Sequence, residues 1–218
     1  PRVSMAWNPG SGKTVYRAGG GMFYDGFFTN ILDNVASTAP NTLGGTLTAP
    51  GTGRGTAGAL GLVPSVTPTI NPRAAVSVID ANLLSPLTYQ WNANVERQLP
   101  GGFLGTIAYV GTRGEHLFLN RELNPGVNGI RLNPARGSIG ARTNTGDSLY
   151  HGLQTDLTRR FRNGFMLEVA YTYSKAIDNG SEVFTTTGGS QYPQDPFNLR
   201  GERGPSAFDR RHRGSVRP

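Results

Sequence analysis

Apolar and polar residues alternate with period two over several segments, which predicts strands carrying one apolar face. The clearest runs from Tyr89 to Leu99. Tyr89, Trp91, Ala93, Val95 and Leu99 share one face, interrupted only by Arg97, while Gln90, Asn92, Asn94, Glu96 and Gln98 share the other. An unbroken polar face of this length needs a wet surrounding. Pro100-Gly101-Gly102 then predicts a tight turn, because proline fixes φ and glycine admits positive φ. Phe103 to Thr112 resumes the alternation, with Phe103, Ile107 and Tyr109 on one face and Thr106 and Ala108 on the other. Together these make a β-hairpin.

The hairpin recurs 62 positions later. Leu149, Leu153, Leu157 and Phe161 take one face; Tyr150, Gln154, Asp156, Thr158 and Arg160 take the other. Arg162-Asn163-Gly164 turns, and Phe165, Leu167, Val169, Tyr171 and Tyr173 then alternate with Met166, Glu168, Ala170, Thr172 and Ser174. At this offset Arg97, Gly102, Phe103, Ala108 and Tyr109 match Arg159, Gly164, Phe165, Ala170 and Tyr171, a repeat of serial hairpins. An N-terminal hairpin is expected from Val3, Met5 and Trp7, a turn at 8–13 and a return over 14–24. A further strand is expected to begin near Arg211.

Strands are thus expected near 1–8, 14–24, 89–99, 103–112, 149–161 and 165–175. Short connections near 8–13, 100–102 and 162–164 alternate with long ones at 25–88, 113–148 and 176–210. A compact soluble domain seldom carries several structureless loops longer than about 15 residues. A transmembrane β-barrel does so regularly, with short periplasmic turns, long extracellular loops and spans of about 10 residues. Trp7, Tyr24, Tyr89, Phe103, Tyr109, Phe161, Phe165 and Tyr173 fall near strand ends, as girdle aromatics would. The expected fold is all-β: an antiparallel transmembrane barrel segment of about six to seven strands over 1–218, part of a larger receptor. Alone it would form an open curved sheet.

Composition supports that reading. Of 218 residues, 36% are hydrophobic and only 16% charged, with 31 glycines. That suits strands half apolar and half small-polar, joined by Gly-rich loops. No apolar run is long enough for a transmembrane helix. A chain starting at Pro1 and ending in an Arg-rich segment is read as an internal piece. The stretch 36–62 is mostly Thr, Gly, Ala, Pro and Ser and is expected to form no core; a short helix is expected near Asp80–Leu84.

Candidate chemistry is sparse. There are no cysteines, which excludes disulfides and thiol catalysis. Gly10-Ser11-Gly12-Lys13-Thr14 imitates a phosphate loop, but Trp7 stands where its first glycine belongs, and Gly19-Gly20-Gly21 follows instead of a helix. A hairpin turn is the simpler reading. His116, His151 and His212 show no metal-pair spacing, and His151 falls on the outward face of its strand. Asp178-Asn179-Gly180-Ser181-Glu182 echoes a calcium loop without its ligand ladder and reads as a turn. No nucleophile motif or acid–base pair points to an enzyme, and no catalytic, metal, cofactor or ligand-binding residue can be assigned. The net charge of +7 gathers at Arg200, Arg203, Arg210, Arg211, Arg213 and Arg217. The alternating signs in Arg200-Gly201-Glu202-Arg203 and Asp209-Arg210-Arg211 favour pairing within the cluster over lipopolysaccharide contact, and nucleic acid least.

The segments Asn82-Leu83-Leu84-Ser85-Pro86, Gln90-Trp91-Asn92, Glu96-Arg97-Gln98-Leu99-Pro100 and Ala108-Tyr109-Val110-Gly111-Thr112-Arg113-Gly114 resemble the Oar-like TonB-dependent outer-membrane receptors. So do Tyr150-His151-Gly152-Leu153-Gln154, Tyr171-Thr172-Tyr173-Ser174-Lys175, Gln194-Asp195-Pro196-Phe197-Asn198 and Phe208-Asp209-Arg210-Arg211-His212-Arg213. The resemblance implies a barrel of about 22 strands plugged by an N-terminal domain. It implies uptake driven by the proton-motive force through a periplasmic energy-coupling protein, in the Gram-negative outer membrane. The plug, the coupling protein, membrane lipid and lipopolysaccharide would be the partners. The outward faces are then expected to meet lipid, and Gln90, Asn92, Asn94, Glu96, Gln154, Asp156 and Glu168 to line a wet lumen or touch the plug. Arginine should be tolerated better at Glu168 than at Val169. A passive porin-like or adhesive barrel and a soluble β-rich binding module are the other functions this pattern admits.

Overall fold

The computed structural model describes residues 1–10, 12–38, 71–162, 164–183 and 191–218. Beyond residue 38, the Thr/Gly-rich stretch expected to form no core lies outside the described residues. In chain order the elements are β1 (Arg2–Trp7), β2 (Thr14–Tyr24), α1 (Asn30–Ala36), β3 (Val76–Ile79), β4 (Leu87–Leu99), β5 (Phe103–Glu122), β6 (Gly126–Val127), β7 (Ile130–Arg131), β8 (Ile139–Arg162), β9 (Phe165–Asp178), β10 (Gly204–Pro205) and β11 (His212–Arg217). They fall into two compact units. The first is Pro1–Phe27, Asp80–Arg121 and Arg142–Pro218; the second is Phe28–Ile79 and Glu122–Ala141.

The first unit is an antiparallel meander in which β1, β2, β4, β5, β8 and β9 neighbour one another in that order, with β11 beside β9. The path does not close, so the sheet is open, as expected for this fold class. Each short turn uses glycines at positive φ, where a side chain would be strained: Gly10 and Gly12, Gly101 and Gly102, and Gly164. The phosphate-loop imitation is therefore the β1–β2 hairpin turn.

Register fixes which residues share a face. Trp7 stands opposite Tyr16, Tyr16 opposite Val95, and Val95 opposite Ile107. Asn92 stands opposite Gly19 and Val110, on the alternate face. In the second half, Leu157 faces Val169 and Val169 faces Val216, while Gln154 faces Thr172. A slip of one residue would send every apolar side chain to the polar side.

Three sequence expectations need correction. The loops at 113–148 and 176–210 are shorter than expected, because β5 continues to Glu122, β8 begins at Ile139 and β9 reaches Asp178. The alternation in β5 breaks at His116, whose φ of 55° lies in the left-handed region, and that break hides the strand beyond it. Asp80–Leu84 is a turn, not a helix: the Leu83 N–H donates to the Asp80 carbonyl and the Asn82 N–H to the Asp80 carboxylate. The long connection 25–88 holds α1 and β3.

Strands of 20 and 24 residues, β5 and β8, overrun the roughly 9–11 residues a tilted strand needs to cross a bilayer. Their ends distal to the short turns stand outside any span. In the second unit, Val127-Asn128-Gly129-Ile130 closes the small β6–β7 hairpin, with Asn128 and Gly129 both at positive φ.

Candidate functional site

The wall has two chemically distinct faces. The apolar one has no core to enter. Among the described residues the buried hydrophobics are Ile31, Leu87, Leu119 and Ala141, whereas Val3 is 76% exposed, Ile107 59% and Phe161 73%. A contiguous apolar surface of this extent needs lipid or protein over it. Near the turn side it carries Trp7 against Tyr16, with ring centroids 5.4 Å apart, and Phe103 under the Arg159 guanidinium at 5.3 Å. Farther along, the Tyr109 hydroxyl and His151 Nδ1 are 2.6 Å apart, and the Tyr171 hydroxyl and His212 Nδ1 are 2.8 Å apart. Two successive hairpins thus repeat one tyrosine–histidine pair on the outward face, which is where the sequence placed His151.

Trp91 lies across Gly111, and any Cβ at that glycine would overlap the indole. Gly111→Val should therefore expel Trp91 from the face and cost about 1–3 kcal/mol, the usual range for overpacking. Urea unfolding of the full-length protein in vesicles checks this, and an unchanged midpoint would show that the indole does not need that seat.

The polar face brings Gln90, Asn92, Asn94 and Glu96 together on β4, and Gln154, Asp156 and Glu168 on β8 and β9, as the alternation implied. Glu96 pairs with Arg17 at 3.4 Å and Glu168 with Arg217 at 3.8 Å. All four side chains are substantially exposed, so each pair is worth no more than about 1 kcal/mol. Arg2, Ser4, Gly19, Gly21, Gln90 and Asn92 border a shallow concavity on this half of the wall, with Arg2 stacked 4.3 Å over Phe23. The Asn94 Oδ1 is buried without a hydrogen-bond partner.

At the ends of the strands distal to the short turns the first unit carries a buried polar layer that the sequence did not reveal. Asn120, Arg142 and Thr143 are almost fully buried. Asn120 donates to the Val183 carbonyl and accepts from Arg142, while Thr143 donates to the Leu119 carbonyl at 3.0 Å. Asn179 accepts from the Asp147 N–H and donates to the Thr145 carbonyl, and the Ser181 hydroxyl donates to the Asp178 carboxylate. The calcium-loop echo is thus turn chemistry. Among the described residues no group of three metal-ligating side chains comes together.

The Arg-rich segment departs from expectation. Glu202 accepts the Gln194 and Asp195 N–H groups and Asp209 accepts the Ala176 N–H, so these carboxylates serve the backbone. Of the six arginines, Arg217 alone joins an ion pair among the described residues, and it does so with Glu168 of β9.

In the second unit, Asn124 organises the chain around it. Its Nδ2 donates to the carbonyls of Asn133, Arg136 and Gly137, and its Oδ1 accepts the Asn133 N–H at 2.7 Å. Arg131 donates to the Asn124 carbonyl at 2.6 Å. Arg73, Arg131 and Arg136 border an open concavity beside Gly129, Gly137 and Ser138. Glu122 lies at the distal end of β5, beyond the span. Burial opposes its ionisation but is outweighed by hydrogen bonds from the Ser138 hydroxyl and the Ile139 and Asn124 N–H groups, with help from Arg131, so its pKa is held below the ordinary carboxylate range. A depressed folded value means stability that is complete above the unfolded carboxylate's value and lost as pH falls through the depressed one. Acidification into that range should speed exchange of the Asn124 and Ile139 amides beyond the intrinsic change, and Glu122→Gln should flatten the response. Parallel pH profiles for both proteins would refute the role given to Glu122.

Residues 1–217 match the family described as Outer membrane beta barrel domain. The chain belongs to that family. The wall therefore stands in the outer membrane of a Gram-negative bacterium. Its fold is similar to the crystal structure of the outer membrane transporter YddB from Escherichia coli, with a TM-score of 0.55 and 9% identity over 82% of this chain and 20% of that one. At such identity the likeness concerns fold alone. The chain spans about a fifth of the length of the YddB chain. No curated protein matches its sequence.

Proposed function

We propose that this barrel wall and its long loops belong to an energy-coupled outer-membrane receptor that takes up a substrate. The observation that carries the reading is the unbroken polar face of β4, where Gln90, Asn92, Asn94 and Glu96 follow at every second position. Residues of that kind suit a wide, wet lumen or the surface of a plug, and the transporter-like fold and the Oar-like sequence motifs point the same way. In this reading the apolar face meets lipid, the short turns are periplasmic and the long loops extracellular. The plug domain lies against the polar face, and the periplasmic energy-coupling protein pulls on a plug-side segment. The chain itself is wall, not catalyst.

Energy coupling separates this function from a passive channel. The full-length protein in planar bilayers should show no steady open conductance, because a plug closes the lumen. In cells, the nutrient uptake lost on deleting its gene should also be lost on adding a protonophore. A permanently open channel, with uptake indifferent to the protonophore, would identify a porin-like barrel instead.

A further inference from the structure

Two repeat-equivalent arginines, Arg97 and Arg159, stand on the apolar face close to the short turns. Arg97 stands three residues before the Pro100–Gly102 turn, and Arg159 stands a similar distance before Gly164, between β8 and β9. Both project from the lipid-facing register: Arg97 lies opposite Thr14 and Gly105, and Arg159 opposite Leu167. Arginine on that face is costly at mid-membrane and tolerated near the interface, where its head can reach phosphate. About 10 Å along a strand from the turn is headgroup depth.

Between them lies β5 with Gly105, which lines a groove beside the Leu99 side chain that packs against it. Val95, Leu99, Ile107, Leu157 and Val169 wall the groove, and Arg97 borders it. Arg159 sits on the Phe103 ring, which holds its guanidinium at the same end. The arginines are two strand spacings apart, about 10 Å between backbones. Two guanidinium groups reaching toward each other across that gap can grip one phosphodiester, with acyl chains lying up the apolar groove.

We propose that Arg97, Arg159 and the groove over Gly105 form a site for an anionic phospholipid of the periplasmic leaflet. The site rests on the reading that this face meets lipid and that the short turns are periplasmic. Charge complementarity selects the occupant: guanidinium N–H groups donate bidentately to phosphate oxygens, and the rest of the groove is mostly apolar surface, with Thr106, Thr155 and Asp156 also bordering it. A zwitterionic or uncharged lipid offers the chains without the net negative charge.

Native mass spectrometry of the full-length protein, titrated with phosphatidylglycerol, tests it, with diacylglycerol and inorganic phosphate as parallel ligands. Phosphatidylglycerol should stay bound where diacylglycerol and inorganic phosphate do not. Retention should fall about tenfold or more in Arg97→Gln/Arg159→Gln and recover only in part in Arg97→Lys/Arg159→Lys, which restores the charge but not the planar fork. Equal retention of phosphatidylglycerol and diacylglycerol by the unaltered protein would overturn the site without needing any variant. So would binding of inorganic phosphate alone, or a dimer that binds no lipid there. Protease protection of the same protein in vesicles separates the two levels. Full protection with no phosphatidylglycerol preference defeats the lipid site only, whereas absence of membrane insertion defeats the reading beneath it.

Discussion

Arginine in place of Val169 should largely block membrane insertion. Val169 lies on the apolar face of β9, with Leu157 and Val216 as its neighbours. A charge there sits on the lipid-facing side, deeper than Arg159, at a cost of up to about 2–4 kcal/mol. That is a large share of the roughly 5–15 kcal/mol by which a folded protein is stable. The matched control is Gln154→Arg, on the polar face opposite Thr172, where the effect should stay within about 0.5 kcal/mol. Glu168 is the less clean control, because arginine there would face Arg217 in place of the existing pair. Heat-modifiable migration after folding into vesicles reads both variants. Equal folding of Val169→Arg and Gln154→Arg would contradict the face assignment.

Asn124→Ala should unravel the chain between Glu122 and Ile139 while sparing the wall. The side chain is 2% exposed and serves three carbonyls and one N–H group. Alanine leaves these groups without that partner, and each buried orphan costs about 1–3 kcal/mol, so the local loss amounts to several kcal/mol. Limited proteolysis should cut near Asn133 at least about tenfold faster in the variant. The urea midpoint of the barrel should barely move, since the wall registers involve none of these atoms. An intact, protease-resistant segment in Asn124→Ala would show that the hairpin at Val127–Ile130 suffices by itself.

Legibility in the sequence followed the physics of each region. Within β4 and the first half of β5 side chains alternate because one side is dry and the other wet, so period two marks both strands and both faces. The same holds for Leu149–Leu157 and Leu167–Tyr173. Beyond His116 the alternation fails for a local reason, the left-handed backbone at that residue, so the distal half of β5 carries no strand signature. There the strands are held by Asn120, Arg142 and Thr143, a buried polar layer whose partners come from distant segments and leave no periodic trace. The β6–β7 hairpin carries a signal, the Asn128-Gly129 pair flanked by Val127 and Ile130, but its two-residue strands are too short to add an alternation. The arginine cluster misled because sign alternation along the chain says nothing about the backbone N–H groups that Glu202 and Asp209 serve. Arg97 looked like an interruption of an apolar face. Its structural setting, with Arg159 as its repeat equivalent, turns that irregularity into the most specific feature of the face.

The central claim is that one face of this wall meets lipid and the other water. The absence of cysteine from the chain makes residue-by-residue spin labelling direct. Labels placed singly at positions 89–96 of the full-length protein in vesicles should alternate without exception. Odd positions should relax with dissolved oxygen, which partitions into lipid, and even positions with a water-soluble nickel complex. A profile without period two, or one in which the even positions take up oxygen, would contradict the account.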